Sequence, residues 1–254
     1  MTALSVEKSG GIARIVLDRP PVNALTLSLY AEIADLFESS AGWTDVNCII
    51  FTSRGERAFC AGLDLKEFVA ARVEEDPARA AVIRRTFSAV RGAAVPTIAA
   101  VNGPALGAGC VLAACCDLRI ASEKATFGLP EINVGRCGGG AHLGRLIPQG
   151  ILRRMFFTGQ PLDAAEAYRV GLVDEVVAPE ALAAAADRLA GVIAAKAPLG
   201  LRLGKQVLNE IEFLPVEDGY FREQAYSTRL MATKDAREAA RAVSEKRPPV
   251  FIGE

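Results

Sequence analysis

A stretch without a single charged residue runs from Gly92 to Cys116 and limits how this chain can fold. Its length would suffice to span a membrane as one helix. However, prolines and glycines, among them Pro96, Gly103 and Pro104, lie within it and would break such a helix. We therefore interpret the stretch as a buried strand, VPTIAAV, a turn, NGPALG, and a buried helix, AGCVLAACC, and we expect no membrane association.

Composition excludes several other classes of protein. The 254 residues are 51% hydrophobic and carry a net charge of −1, so a nucleic-acid partner, which a basic excess would indicate, is not expected. A chain of this length buries about three quarters of its unfolded surface and needs no disulfide or metal to hold its core. Six cysteines without a CxxC pair and one histidine leave too few ligands for zinc. Because no basic segment followed by an apolar one opens the chain, we expect a cytoplasmic protein with reduced thiols.

The hydrophobic pattern alternates between strands and helices and then becomes almost wholly helical. This alternation predicts an α/β core with parallel strands. We expect the core over residues 1–195 and a helical region that mediates oligomerisation over residues 196–254. The predicted strands are 4–7 and 12–17, joined as a hairpin, then 46–52, 95–101, 117–121 and 172–177. The predicted helices are 26–39 with Thr26 as its cap, 77–91, 107–116, 148–157, 163–170, 179–196, 198–212 and 216–244.

Several common enzyme motifs are missing from the sequence. It contains no GxxxxGK[ST] phosphate loop and no GxSxG nucleophile turn. Leu112 stands where the dinucleotide fingerprint that begins at Gly107 needs its third glycine. The only histidine, His142, lies in a glycine-rich loop over residues 135–144 with no sequence neighbour to orient it, so we interpret it as a surface or packing residue.

Two glycine-flanked segments follow predicted strands: Ala61-Gly62-Leu63, and Leu106-Gly107-Ala108-Gly109-Cys110 at the start of a predicted helix. Small residues at a helix N-terminus let a ligand approach free backbone N–H groups, where the helix dipole favours negative charge. Each segment alone is weak evidence of a site, because glycines at such turns usually serve tight geometry.

Four longer strings occur in succession: RAFCAGLDLKEF (57–68), PTIAAVNGPALGAGCVLAACCDLRIAS (96–122), ATFGLPEINVG (125–135) and FFTGQPLDAAEAYRVGLVDEVV (156–177). Together with DRPPVNALTLSLYAEI (18–33), they resemble the crotonase, or enoyl-CoA hydratase/isomerase, superfamily over essentially the whole chain. The resemblance implies a crotonase-like ββα superhelix core with a helical C-terminal region, assembled as a homotrimer or homohexamer. It also implies an acyl-CoA substrate, of which coenzyme A is a part, and no separate cofactor or metal.

The resemblance also implies roles for particular residues. The family forms an enolate at the thioester carbonyl, and the two backbone N–H groups that hold its oxygen fall at Leu63 and Ala108. Such fixed donors stabilise the charge that builds as an α-proton leaves. Family hydratases carry two glutamates; Glu131 matches one, whereas Val111 stands in place of the other and can neither transfer a proton nor orient water. The residues that the resemblance places around the substrate are Ala61, Asp64, Lys66, Gly107, Val111 and Gly139, with Lys66 as a phosphate contact.

Three functions stay open on the sequence alone. We favour double-bond isomerisation, in which Glu131 takes a proton from one carbon and returns it to another, because this needs only one base. The second is hydration with water held by Glu131 and backbone groups, or a related decarboxylation of a malonyl-type ester. The third is a non-catalytic acyl-CoA binder, against which the retained Glu131 argues.

The acyl group is not determined by the sequence. Phe68, Phe87, Val111 and Leu129 predict an apolar acyl pocket. The glycine-rich loop over 135–144 departs from the family pattern beside this pocket. We interpret Cys60, Cys110 and Cys137, which lie near the predicted site, as small packing residues, since no basic partner for a thiolate is evident.

Overall fold

The computed structural model describes residues 3–254. Within that range the strands are β1 (Leu4–Ser9), β2 (Ile12–Leu17), β3 (Cys48–Ser53), β4 (Thr97–Val101), β5 (Ala105–Leu106), β6 (Leu118–Ser122), β7 (Thr126–Gly128), β8 (Leu162–Asp163) and β9 (Glu175–Val177). The helices are α1 (Leu27–Ser39), α2 (Leu65–Ala70), α3 (Asp76–Arg91), α4 (Ala108–Cys115), α5 (Gly140–Leu143), α6 (Gln149–Thr158), α7 (Ala164–Arg169), α8 (Leu182–Ala194), α9 (Pro198–Ile211), α10 (Val216–Met231) and α11 (Lys234–Ser244).

The main sheet has the order β1-β2-β3-β4-β6-β9. Strands β1 and β2 form the predicted antiparallel hairpin, whose turn glycines Gly10 and Gly11 have φ of 58° and 79°. A two-residue turn that matches the twist of its strands requires such positive φ values. From β2 onward all pairings in this sheet are parallel, which confirms the predicted α/β core. A small second sheet, β5-β7-β8, stands beside it.

The central strands are mostly apolar because both faces of the sheet are covered. In β3, Ile49 and Phe51 face the larger core, which also contains residues of α1, α3 and α4. Cys48 and Ile50 face the other way, onto buried residues of α8. The uncharged stretch identified in the sequence forms the strand and the helix as interpreted, β4 and α4, and the turn between them contains the short strand β5. Most of its apolar side chains lie in the larger core.

Helix α1 begins where the sequence predicts, because the Thr26 hydroxyl accepts a hydrogen bond from the N–H of Leu29 at 3.3 Å. It packs against α3, where the Thr86 hydroxyl donates to the Tyr30 carbonyl oxygen at 2.8 Å. Residues of both helices line the cavity that contains the candidate site.

Three sequence predictions need correction. The single helix predicted over 216–244 is two helices, because the Thr233 hydroxyl caps α11 by accepting from the N–H of Ala236 at 3.1 Å. The predicted loop over 135–144 contains the short helix α5. The sequence prediction also missed α2 and the strands β5, β7 and β8; these strands have two or three residues each, too few to show a hydrophobic period.

The C-terminal helices differ in how they join the core. Helix α9 is attached to the main sheet, since the buried Lys205 ammonium donates to Val95 O at 3.1 Å and pairs with the Asp117 carboxylate at 2.8 Å. Beyond α9 the chain exposes large apolar side chains: Phe213, Val216, Tyr220, Phe221, Met231 and Val243. No helix among residues 3–254 is long and apolar enough to cross a membrane.

Candidate active site

Two segments that leave the neighbouring strands β3 and β4 meet side by side. They form a parallel bridge between Cys60 and Ala105, in which Cys60 N–H donates to Pro104 O at 3.2 Å and Leu106 N–H donates to Cys60 O at 2.9 Å. Leu63 and Ala108 each lie three residues beyond this bridge. The register of the bridge therefore brings Leu63 and Ala108 to the same end of the paired segments.

The backbone N–H groups of Leu63 and Ala108 have no hydrogen-bond acceptor within residues 3–254. Leu25 forms a parallel bridge with Leu63: its N–H donates to Gly62 O at 2.7 Å and its carbonyl oxygen accepts from Asp64 N–H at 2.8 Å. In this pattern the N–H of Leu63 itself points away from Leu25. Ala108 is the first residue of α4, where N–H groups have no partner inside the helix.

Glycine is required where the two segments touch. A Cβ on Gly109 would lie 2.1 Å from the carbonyl oxygen of Cys60, and a Cβ on Gly62 would lie 2.9 Å from that of Leu106. The position of that Gly62 Cβ is also only 3.4 Å from the amide nitrogen of Ala108. Because no side chain separates the segments, the two free N–H groups are neighbours.

Glu131 reaches the same place from a 3-10 turn, Pro130–Val134, that follows β7. Gly107 is the residue that precedes Ala108, and a Cβ on Gly107 would lie 3.0 Å from Oε1 of Glu131. Oε2 of Glu131 is buried and has no hydrogen-bond partner within residues 3–254. Burial raises the pKa of Glu131 above the ordinary value of 4.5, and its own N–H partly opposes this. A carboxylate in this state can exchange a proton with a bound molecule.

Leu63, Ala108 and Glu131 line one cavity of about 360 Å³. Helix α3 contributes a stripe of residues to its wall, including Ile83 and Phe87. Other lining residues are Leu25, Leu27, Tyr30, Phe68, Val111, Val134, Cys137, Gly138, Gly139, Ala141 and His142. A larger cavity of about 570 Å³ lies under α9, away from the two free N–H groups. We therefore assign the site to the smaller cavity.

Glu131 is the carboxylate of this cavity that has no cationic partner in the part of the chain described. Asp64 accepts from the Arg19 guanidinium at 2.8 Å, and Asp76 pairs with Arg136 at 2.9 Å. The hydrogen bonds from backbone N–H of α2 and from Arg19 hold the pKa of Asp64 below its usual range. These two aspartates are therefore held in ion pairs, whereas Glu131 is not in the part of the chain described.

The residues predicted to surround the substrate divide into two groups. Asp64, Val111 and Gly139 line the cavity, whereas Ala61, Lys66 and Gly107 lie outside its lining. Asp64 also caps α2, and Lys66 is exposed on that helix. Ala61 N–H donates to Val22 O at 3.0 Å. Gly107 has a φ of 53° and forms the turn into α4.

The predicted apolar pocket residues are mostly on the cavity wall. Phe68, Phe87 and Val111 line the cavity, and the Arg136 guanidinium lies over the Phe68 ring, 5.1 Å from its centroid. Leu129 instead lies behind the wall, where its Cδ2 is 2.5 Å from the position of a Cβ on Gly139. Gly139 therefore has no room for a side chain, which explains part of the glycine content of this loop.

The cysteines near the site differ in their environment. Cys60 and Cys110 are buried, and burial raises the pKa of each thiol to about 12, so they are packing residues as interpreted. The same interpretation of Cys137 is wrong, because this residue is exposed and lines the cavity. Within residues 3–254 no group of three or more His, Cys, Asp or Glu is arranged to hold a metal ion.

Tyr30 and His142 are among the cavity residues that were not assigned to the site from the sequence. Tyr30 is buried on α1 and lines the cavity. His142, interpreted as having nothing to orient it, lies edge-on to Phe87 with ring centroids 5.3 Å apart, and its Nδ1 is 3.6 Å from Cys115 Sγ. These neighbours come from α3 and α4, so no local sequence signal could reveal them.

Comparison with known proteins agrees with this geometry. The family model for enoyl-CoA hydratase/isomerase matches residues 7–254. A crotonyl-CoA hydratase of Syntrophomonas wolfei is 35% identical over 97% of this chain and 96% of its own length. A (7aS)-7a-methyl-1,5-dioxo-2,3,5,6,7,7a-hexahydro-1H-indene-carboxyl-CoA hydrolase of Mycobacterium tuberculosis is 40% identical over 91% of this chain and 93% of its own. The crystal structure of an enoyl-CoA hydratase from Bacillus anthracis superimposes with a TM-score of 0.96 at 34% identity, covering 100% of both chains.

The chain therefore belongs to the enoyl-CoA hydratase/isomerase family of the crotonase superfamily. The predicted crotonase-like fold is confirmed, and the protein is an enzyme of this superfamily that acts on acyl-CoA thioesters.

Proposed function

We propose that this enzyme moves the double bond of an enoyl-CoA, converting a 3-enoyl into a 2-enoyl thioester, with Glu131 as its one general acid–base group. The observation that carries the proposal is that, among residues 3–254, Glu131 is the one carboxylate of the cavity without a partner, with apolar Val111 on helix α4. A double-bond shift removes one proton and returns one, and the same carboxylate can do both.

In the proposed mechanism the thioester oxygen accepts hydrogen bonds from the N–H groups of Leu63 and Ala108. Glu131 takes the proton from C2, and the electrons of that C–H bond move onto the thioester oxygen as a dienolate. The protonated Glu131 then delivers the proton to C4, and the double bond forms between C2 and C3. Each N–H donor of this kind contributes about 10²–10³ in rate, and the acid–base group about 10²–10⁴.

The remaining predicted contacts complete the proposed substrate site. Backbone atoms of Ala61, Gly107 and Gly139 would pass close to the thioester, and Val111 would contact the acyl chain. The coenzyme A moiety would leave the cavity past α2, where Asp64 fixes the first turn and Lys66 is free to meet a phosphate. Arginine or lysine at such a place attracts phosphate as a charge partner.

Hydration is the second candidate, favoured by the printed names of several relatives, such as the crotonyl-CoA hydratase. It needs a water positioned at C3 and a proton donor for C2, and Val111 can serve neither need. Decarboxylation of a malonyl-type ester would use the same two N–H groups and stays a lesser alternative. A binder without catalysis has no use for a buried, unpaired carboxylate, which is costly to keep.

One experiment separates these reactions. The enzyme is incubated in deuterated water with 2-enoyl, 3-enoyl and malonyl-type CoA esters, and the products are analysed by mass spectrometry. Isomerisation predicts that the 3-enoyl ester becomes a 2-enoyl ester of the same composition, apart from hydrogen exchanged for deuterium. It predicts no gain of the mass of water. Addition of water to the 2-enoyl ester as the main reaction, with no conversion of the 3-enoyl ester, would replace isomerisation by hydration. Loss of carbon dioxide would identify a decarboxylase.

We also propose that the region from residue 196 onward assembles the chain into a homotrimer or a homohexamer. Leu208, Phe213 and Leu214 of this region are exposed in the single chain, whereas Val207 is buried. Apolar surface of this extent on one region is typical of a protein interface. The proposal is tested by the solution mass, as described in the Discussion.

A further inference from the structure

A polar group without a protein partner lies deep in the cavity wall. Tyr30 is only 3% exposed and lines the cavity, yet its hydroxyl makes no hydrogen bond within residues 3–254. Within that range the Tyr30 hydroxyl is unpaired but not fully enclosed. The side-chain polar atoms in this range that are both enclosed and unpaired are Arg91 Nε, Glu131 Oε2 and Arg145 Nη1, so the hydroxyl keeps some accessible surface. Because the rest of Tyr30 is enclosed, that surface faces the cavity. Burial raises the pKa of Tyr30, so the hydroxyl stays protonated and can donate.

A second polar group of the wall is His142. Burial lowers the pKa of its imidazole, which is therefore neutral near pH 7. Its Nδ1 faces the Cys115 thiol at 3.6 Å, and burial raises the pKa of that thiol to about 12, so it keeps its proton. Nε2 has no partner within residues 3–254. In either tautomer Nε2 offers the cavity a donor or an acceptor.

These two groups belong to one part of the wall. The Phe87 ring packs edge-on against both, with its centroid 6.3 Å from that of Tyr30 and 5.3 Å from that of His142. Cys115, which contacts His142, follows Ala108 by seven residues on α4, a rise of about 10 Å along the helix. His142 therefore stands well beyond the carbonyl of a thioester bound at Ala108.

A purely hydrocarbon acyl chain would fit this part of the cavity poorly. It would leave the Tyr30 hydroxyl, and any part of the half-buried His142 imidazole that it covers, without hydrogen bonds, which is unfavourable. An oxygen on the acyl group could pair with either group. A site that offers hydrogen bonds to a substrate oxygen discriminates strongly against the analogue that lacks it.

We propose that the cavity selects an acyl group that carries a hydroxyl or carbonyl oxygen besides that of the thioester, bound by Tyr30 or His142. The inference rests on the proposed function in one respect only, that the thioester carbonyl lies at Leu63 and Ala108. It names the substrate class as oxygenated acyl-CoA esters.

Binding of unreactive esters tests this inference. Saturated acyl-CoA esters of five to eight carbons are each paired with the analogue that has a terminal hydroxyl, and dissociation constants are measured by calorimetry. We expect the hydroxylated ester to bind about tenfold more tightly at one or more chain lengths. At least one of Tyr30→Phe and His142→Leu should reduce that ratio towards one. Tyr168→Phe makes the same chemical change at an exposed tyrosine outside the cavity and should keep the wild-type ratio.

Equal affinities at every chain length, or tighter binding of the unsubstituted ester, would overturn the inference. So would a preference that Tyr30→Phe and His142→Leu both leave unchanged. Because saturated esters have no double bond to move, the result is independent of turnover. A clear preference in an enzyme that fails to isomerise 3-enoyl-CoA would support the inference and refute the proposed function.

Discussion

Replacing Ala108 by proline removes one of the two proposed oxyanion donors and leaves the fold in place. Ala108 is the first residue of α4, a position that proline occupies readily because the N–H there has no helical partner. The preceding Gly107 has φ 53° and ψ −122°. These angles are the mirror image of the extended conformation that residues before proline adopt. Because glycine is achiral, it adopts the extended conformation and its mirror image equally well, so Gly107 can precede a proline.

The expected loss follows from the role of one N–H group. Removing a single donor to a developing oxyanion lowers the turnover number by about 10²–10³, which corresponds to about 2.7–4 kcal/mol of transition-state stabilisation. The N–H of Leu63 remains, but the Cδ of proline takes the place of the amide hydrogen and faces the thioester oxygen, so the loss should reach at least that range. The free energy of unfolding should change little, since Ala108 N–H makes no hydrogen bond within residues 3–254.

The assay follows conversion of a 3-enoyl-CoA to the 2-enoyl-CoA by absorbance of the conjugated thioester. Gln149→Pro is the matched control, because Gln149 is the exposed first residue of α6, follows a residue with extended angles and lies outside the cavity. It should keep full activity. Denaturant unfolding of both variants shows whether the fold is intact. A folded Ala108→Pro variant with wild-type turnover would show that Ala108 is not an oxyanion donor.

Val111→Glu should increase hydration of a 2-enoyl-CoA relative to isomerisation, at some loss of stability, because a second carboxylate on α4 could hold a water together with Glu131. An unchanged ratio of hydrated to isomerised product would contradict this. The value of kcat/KM should rise with pH through an apparent pKa above 4.5, because the base acts unprotonated and burial raises the pKa of Glu131. A kcat/KM that is independent of pH down to 4.5 would contradict the assignment of Glu131 as the base. Sedimentation at micromolar concentration should give a trimer or hexamer, and a mass equal to one 26.8 kDa chain would refute the proposed assembly.

Local chemistry made much of the fold predictable. The Thr26 cap, the Gly10-Gly11 turn and the uncharged apolar run each depend on residues close in sequence, and the structure has all three where they were expected. The split of the predicted helix 216–244 at Thr233 was missed, because a cap inside a continuous amphipathic pattern is hard to distinguish from a helical threonine.

The candidate site was predictable to the extent that it depends on motifs. Glu131, Leu63 and Ala108 were singled out by their strings, and the structure brings them to one cavity. Tyr30 and His142 were not, because their surroundings are created by the packing of α1, α3 and α4. Side chains that meet only in the folded chain leave no periodic signal in the sequence.

The most direct test of the mechanism is turnover of a 3-enoyl-CoA by Glu131→Gln. Glutamine keeps the size of the side chain but cannot accept the proton, so turnover should fall by at least about a hundredfold while acyl-CoA affinity stays within a few fold. The unfolding free energy at pH 7 should not decrease, since burial disfavours the charged form that the substitution removes. If the folded variant isomerises the ester at the wild-type rate, Glu131 is not the base and the proposed mechanism is wrong.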